Sequence, residues 1–381
     1  MQEATDEKLL DVAEEFTALN QTDSYQIAYR HWRKREKNPY AFSFIKNPKE
    51  SAFSENQAVV SSTPAQAEQS ALRNLGILFG TAFLCYLLIE NLLDKILVQA
   101  ARMIGVQIET MYWGETHYYG DDLTVFLFSA ALQILKLLIP ILMIGLALQM
   151  PIWIAVPLPV KHTRQMLNSI SLMMLLSVGL GSSMTSRSSE LEKYRIISDA
   201  VGADDHWLIL YIVFTVFIVP LFWELLFHGA MFQSLRQFGD TFAVIAVTSM
   251  ATLLTHNLQD AVRLGLVTLS ISFFMVRTGS FLTAVILRII HEIYMFALFQ
   301  IENYEMLFTL RWWIVILFPC LIGLLTIIVL TISEKGNEEN VNPNKDYLSL
   351  ADQFMIFSTT LPMLVTIIVC ILLFVMTAML A

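Results

Sequence analysis

Residues 207–232 read Trp207-Leu208-Ile209-Leu210-Tyr211-Ile212-Val213-Phe214-Thr215-Val216-Phe217-Ile218-Val219-Pro220-Leu221-Phe222-Trp223-Glu224-Leu225-Leu226-Phe227-His228-Gly229-Ala230-Met231-Phe232. This stretch of 26 residues holds one carboxylate, Glu224, one imidazole, His228, and no lysine or arginine. A helix of about 20 mainly apolar residues crosses the hydrocarbon core of a bilayer. The stretch therefore reads as a transmembrane helix carrying two polar side chains one turn apart.

Similar apolar blocks lie on either side, near 73–99, 123–148, 166–183, 241–258, 262–277, 281–300, 312–332 and 354–380. The third, fifth and sixth of the nine in chain order are short and suit tilted, broken or re-entrant segments. The expected fold is all-α, a polytopic transmembrane helical bundle of about 8–9 spans. Composition agrees, with 56% hydrophobic and 15% charged residues in a 381-residue chain; soluble domains run about 45–50% apolar and about 25% charged. A formal charge of -9 excludes a nucleic-acid binder working through bulk positive charge. Cys85, Cys320 and Cys370 are far apart in apolar segments, so no disulfide framework or paired-cysteine metal site is expected.

Two domains follow: a polar cytoplasmic segment at 1–72, and the bundle at 73–381 with its functional core at about 207–300. Within the first, a short helix is expected around Thr5–Leu19, and the Ser/Pro/Ala/Gln-rich run Ser61–Ser70 reads as a linker. The basic and aromatic run Tyr29–Tyr40 reads as a flank on the lipid surface, with Trp32 and Tyr40 at the headgroups. Trp312-Trp313 reads as a second interfacial anchor, and Glu334–Leu350 as an inside loop. With the N-terminus inside, inside connections carry fifteen Lys/Arg and outside ones six, Arg263 among the six. The positive-inside bias then sets the N-terminus in the cytoplasm of an integral protein of the cell membrane.

Function is best sought where polar side chains sit at membrane depth, because they are costly there. Four groups qualify. Glu90, Asn91, Asp94 and Lys95 in the first span read as an interface-level cluster, with an ion pathway as the sharper alternative. Glu224 and His228 lie at i and i+4 on one helix face. Thr255-His256-Asn257 closes the fifth span. In the seventh, Arg288 and Glu292 are spaced to neutralise each other, leaving His291 aimed elsewhere. One carboxylate and three imidazoles on three embedded helices suit activation of water, the carboxylate taking a proton and the histidines holding water or an oxyanion. Zn²⁺ held by Glu224, His228, His256 and His291 is a second way to the same chemistry.

The order Glu224-Leu225-Leu226-Phe227-His228-Gly229, then His256, then His291, resembles the CAAX-processing and bacteriocin-processing (CPBP, Abi) intramembrane protease family over roughly 207–300. That family's pattern is a Glu-Glu-x-x-x-Arg helix, a Phe-x-x-x-His helix and a His-x-x-x-Asn helix. The resemblance implies peptide-bond hydrolysis in or near the membrane, with Glu224, His256 and His291 as catalytic positions and His228 in support. Four positions depart from the pattern. Trp223 stands where the first glutamate activates water, and His228 where an arginine pairs with the second. Thr252 replaces the phenylalanine, and Met295 the asparagine that partners the second histidine at the oxyanion. An indole is no general base, and a thioether does not replace an amide donor.

Two function classes stay open. One is an endopeptidase of metallo- or glutamate type with weakened or lost activity. The other is a pseudoprotease scaffold that grips a membrane protein or peptide without cutting it. A proton-coupled transporter is a third reading. The partners expected are the lipid bilayer and a membrane-protein or peptide substrate, with no nucleic acid.

Overall fold

The structure, a computed structural model, describes residues 22–33, 35, 38–41, 64–103, 105, 108–112, 116–120, 122–160, 163–183, 205–255, 257–303, 312–333 and 347–380. Every apolar block read from the sequence is mainly helical over its described part, with breaks near 254–257 and at 359–360. Helix α1 is Asp23–Arg33. Helix α2, Pro64–Leu88, passes through a π turn at Ile89–Leu93 into α3, Asp94–Met103. An antiparallel hairpin, β1 (Ile108–Tyr112) and β2 (Thr116–Gly120), sits in the connection to α4, Asp122–Leu148. Next come α5, Thr163–Ser183, and the irregular span α6, Ile209–Phe238. The rest of the bundle is α7 (Asp240–Leu253), α8 (Leu258–Thr278), α9 (Phe281–Asn303), α10 (Phe318–Ser333), α11 (Leu350–Ser358) and α12 (Leu361–Leu380).

The chain is an all-α helical membrane bundle to which one small hairpin is appended. Among the described residues five helices are long and apolar enough to cross a membrane, six if the bent pair α11–α12 is one span. Helices α7 and α10 are apolar but shorter. The last block is broken rather than continuous. Helices α11 and α12 meet at 83°. Ser349 caps α11 by accepting from the Asp352 N–H at 3.2 Å, and Pro362 suits the first turn of α12, where no N–H is needed.

Helix ends follow their caps. The Asn257 side chain accepts from the Asp260 N–H at 2.7 Å and starts α8, and Gly279 ends it with a left-handed φ of 68°. Helix α8 therefore begins four residues before the block expected at 262–277, and it packs between α7, α9 and α5. Helix α6 packs against α4 and α9. This arrangement puts α6, α8, α9 and α5 around one interior.

The N-terminal side departs from expectation. The linker read at Ser61–Ser70 is helical from Pro64 onward. Trp32 does not rest at the headgroups: it is 4% exposed, and its indole N–H donates to the Leu148 carbonyl at 2.9 Å. Tyr40 is half-buried, with its carbonyl accepting from Gln237 at 2.8 Å. The apolar face of α1 covers one end of the bundle. The Tyr25 and Tyr29 hydroxyls donate to the Gln233 side chain at 2.8 Å and to the Gln233 carbonyl at 2.6 Å. Arg33 is buried there as well. A helix with four buried residues gains more from this cap than from lying on lipid. The helix read around Thr5–Leu19 lies outside the described residues.

Burial pushes the Tyr29 phenol up to about 12, and that of Tyr25 well above its ordinary value. A group whose folded value is raised lends stability below its unfolded value of about 10, and that stability is lost as pH rises through the folded value. The docked α1 should therefore hold to about pH 10 and release toward pH 12, read as proteolysis at the basic run after α1. The Tyr25→Phe/Tyr29→Phe double variant should lack this alkaline step; an unchanged step would refute the assignment.

The first polar cluster is also rearranged. Glu90, in the π turn after α2, pairs across the bundle with Lys136 of α4 at 3.1 Å, and the Tyr86 hydroxyl approaches the same oxygen at 3.4 Å. Lys95 is exposed. The pair neutralises itself between two helices of the bundle.

Candidate active site

Glu224 and His228 sit one turn apart on α6, where the helix loosens. A π turn occupies Phe227–Met231, and Gly229 leaves helical geometry at φ −79°, ψ −130°. Such turns re-aim side chains and are common at functional sites. Glu224 is 1% exposed and His228 fully buried. Glu224 Oε2 and His228 Nδ1 lie 2.5 Å apart, off the hydrogen-bond axis. The other ring nitrogen, Nε2, hydrogen-bonds Ser272 Oγ of α8 at 2.7 Å. Carboxylate, imidazole and hydroxyl thus form one buried line across two helices.

His291 of α9 belongs to a second line. Its Nδ1 is 2.9 Å from Ser177 Oγ of α5, and its Nε2 is 3.2 Å from Arg263 Nη1 of α8. Arg263 also faces Asp260 Oδ1 at 3.9 Å, and Asp260 is held by Asn257. Arg263 is 2% exposed, which corrects its reading as an outside connection charge. The longer α8 draws it into the bundle. Arg288 and Glu292 pair at 3.0 Å, as their spacing suggested, leaving His291 to these other partners.

The departing positions each have a place. The half-buried Trp223 ring packs 4.7 Å from Phe227 and lies 5.9 Å from the Arg288 guanidinium. The Thr252 hydroxyl bonds back to the Thr248 and Ser249 carbonyls, and its methyl faces Gly265, where a Cβ would come within 2.7 Å. Met295 is buried at 1% exposure. His256 lies outside the described residues.

Of the expected zinc set, the described members Glu224, His228 and His291 do not gather at one point, and His256 lies outside the described residues. Among the described residues no three His, Cys, Asp or Glu side chains are placed to hold a metal. Both nitrogens of His228 and of His291 face protein partners, and the partner at His291 Nε2 is a permanent cation.

Ser272, Ser177 and Arg263 escaped the sequence reading. Serines in apolar helices give no signal of their own. Asn257 with Asp260, a cap pattern in plain view, would have placed Arg263 inside a helix.

Fold and site define a polytopic membrane protein with a buried acid–histidine centre. Residues 205–294 match the model of the family described as type II CAAX prenyl endopeptidase Rce1-like, which supports the resemblance to the CAAX-processing proteases over this segment. The match covers 90 of the 381 residues and contains Glu224, His228, Arg263, Ser272 and His291. No curated protein and no solved structure gives a significant match.

Proposed function

We propose that the chain is a slow intramembrane endopeptidase of the CAAX-processing type, in which Glu224 takes the proton from water. The observation that carries this reading is the buried Glu224–His228–Ser272 line within the family-matched segment. His228 sits against the carboxylate as the family arginine would, but as a group able to exchange a proton. His256 and His291 complete the set by resemblance. In this reading the bundle at 73–381 holds the site, the segment at 1–72 is cytoplasmic, and the protein resides in the cell membrane. The substrate is a membrane-anchored protein or peptide, and the family description points to prenylated CAAX tails as the first probe.

The test uses the full chain in liposomes with a quenched-fluorescent farnesylated CAAX peptide. Glu224→Gln should lower cleavage by at least about 10²-fold, the usual scale of a general base, while helicity and yield are kept. Equal cleavage by both proteins would sink the reading.

The scaffold reading is favoured by one observation: an indole stands in the base position, packed on Phe227 and Arg288. It expects no cleavage by the wild type and saturable binding of the same peptide, unchanged in Glu224→Gln.

A further inference from the structure

Arginine only donates hydrogen bonds, and this sets the direction of the whole line at His291. Arg263 Nη1 gives a hydrogen to His291 Nε2, so Nε2 carries none. The imidazole is the Nδ1–H tautomer and donates to Ser177 Oγ, whose own hydrogen goes to the Met173 carbonyl at 2.8 Å. His291 thus has no hydrogen left for a substrate carbonyl. By resemblance this histidine polarises the carbonyl with an asparagine beside it, but here the asparagine position is Met295. Within the line, the positive charge belongs to Arg263.

We propose that Arg263 is the catalytic group that neutralises the oxyanion, and that His291 and Ser177 are positioning residues holding it. This rests on the protease reading above. The placement supports it. Arg288, one turn before His291 on α9, lies against Trp223, the neighbour of Glu224. Helix α9, which carries His291, packs against α6, which carries Glu224, and Arg263 is held to α9 through His291. Asp260 and Asn257 brace the guanidinium from its own helix. In the reaction the water oxygen bonds to the carbonyl carbon and Glu224 takes the water proton. The carbonyl π electrons move to oxygen, where Arg263 balances the charge. Collapse then breaks the C–N bond, and the leaving amine takes the proton from Glu224. A preorganised charge in a dry site is suited to this task.

The experiment compares wild type, Arg263→Gln, Arg263→Lys and Ser177→Ala in nanodiscs. The probes are the farnesylated CAAX peptide and its phosphinic isostere, a tetrahedral anion. Arg263→Gln should lower kcat by about 10²–10³-fold with little change in KM, the scale of a lost oxyanion donor. It should also lose the preference for the phosphinic peptide over the plain one, with partial rescue in Arg263→Lys. Ser177→Ala removes the partner of the Nδ1–H while Arg263 still fixes the tautomer, so the ring that seats Arg263 loosens. Its kcat and phosphinic preference should fall with little change in KM, which a purely structural serine would not do. Should Arg263→Gln fail to fold, Arg263→Lys and Ser177→Ala decide, and wild-type kcat and phosphinic preference in both overturn the proposal. Full kcat and an intact phosphinic preference in a folded Arg263→Gln would overturn it while leaving the protease reading standing. A wild type that does not cleave but binds the phosphinic peptide through Arg263 would end the protease reading and keep the anion site. Neither cleavage nor preference in the wild type would end both.

Discussion

Gly80→Ala is expected to break the packing of the bundle's first and last helices. A Cβ at Gly80 would lie 2.3 Å from the Met363 amide nitrogen and 2.6 Å from the Pro362 carbonyl carbon. Both are backbone atoms, so no side-chain rotation relieves the clash and α2 must move away from α12. One turn earlier, a Cβ at Gly76 would meet the Phe357 carbonyl oxygen at 2.6 Å. The pair Gly76-Ile77-Leu78-Phe79-Gly80 is a small-residue motif of the kind that lets membrane helices approach to backbone contact. The Thr366 hydroxyl uses that approach to donate to the Gly80 carbonyl at 3.0 Å. Overpacking typically costs about 1–3 kcal/mol, and a backbone clash belongs at or above the top of that range. Against a total stability of about 5–15 kcal/mol, this should show as a fall in thermal midpoint and in monodisperse yield. Gly145→Ala is the matched control: nothing lies within 4 Å of its Cβ, so α4 should keep or slightly gain stability. Equal midpoints for the two variants would show that the α2–α12 contact does not hold the bundle together.

The sequence made local relations legible. Block length announced the helices, and i, i+4 spacing announced the Glu224–His228 and Arg288–Glu292 pairs, because helix geometry alone brings such residues together. Relations between helices were not legible. Ser272 and Ser177 meet histidines that lie 44 and 114 residues away in the chain, and a serine in an apolar run looks the same whether it binds its own helix or a ring on another. Helix α1 misled for a different reason. Its basic residues spoke for a lipid surface, whereas its buried Tyr25, Tyr29 and Trp32 are what fix its position. The GxxxG pattern at Gly76 and Gly80 is readable in the sequence, but nothing local says which helix approaches it.

Trp223→Glu should do the opposite of most substitutions at a buried site and raise activity. The family places its water-activating glutamate here, and the new carboxylate would fall about where the indole ring now lies. That volume borders Arg288, which is paired to Glu292 through Nη2 while its Nε and Nη1 atoms have no hydrogen-bond partner. A carboxylate at this position would find those donors waiting, so its burial is compensated rather than left as an isolated charge. The opposing cost is the lost contact of the half-buried indole with Phe227. Removal of a fully buried tryptophan costs about 3–5 kcal/mol, and the half-buried ring should cost less. A positioned base is worth about 10²–10⁴ in rate, which outweighs a modest loss of folded protein in any assay normalised to it. Cleavage of the farnesylated peptide should rise by about 10² or more over wild type on that scale. Trp223→Gln, which opens the same space without a base, should give no gain. If both variants gain equally, relief of steric blockage by the indole is the cause, and the carboxylate has no part in it. If neither gains and the wild type is silent, the buried acid–histidine line is a structural brace and the bundle is a scaffold.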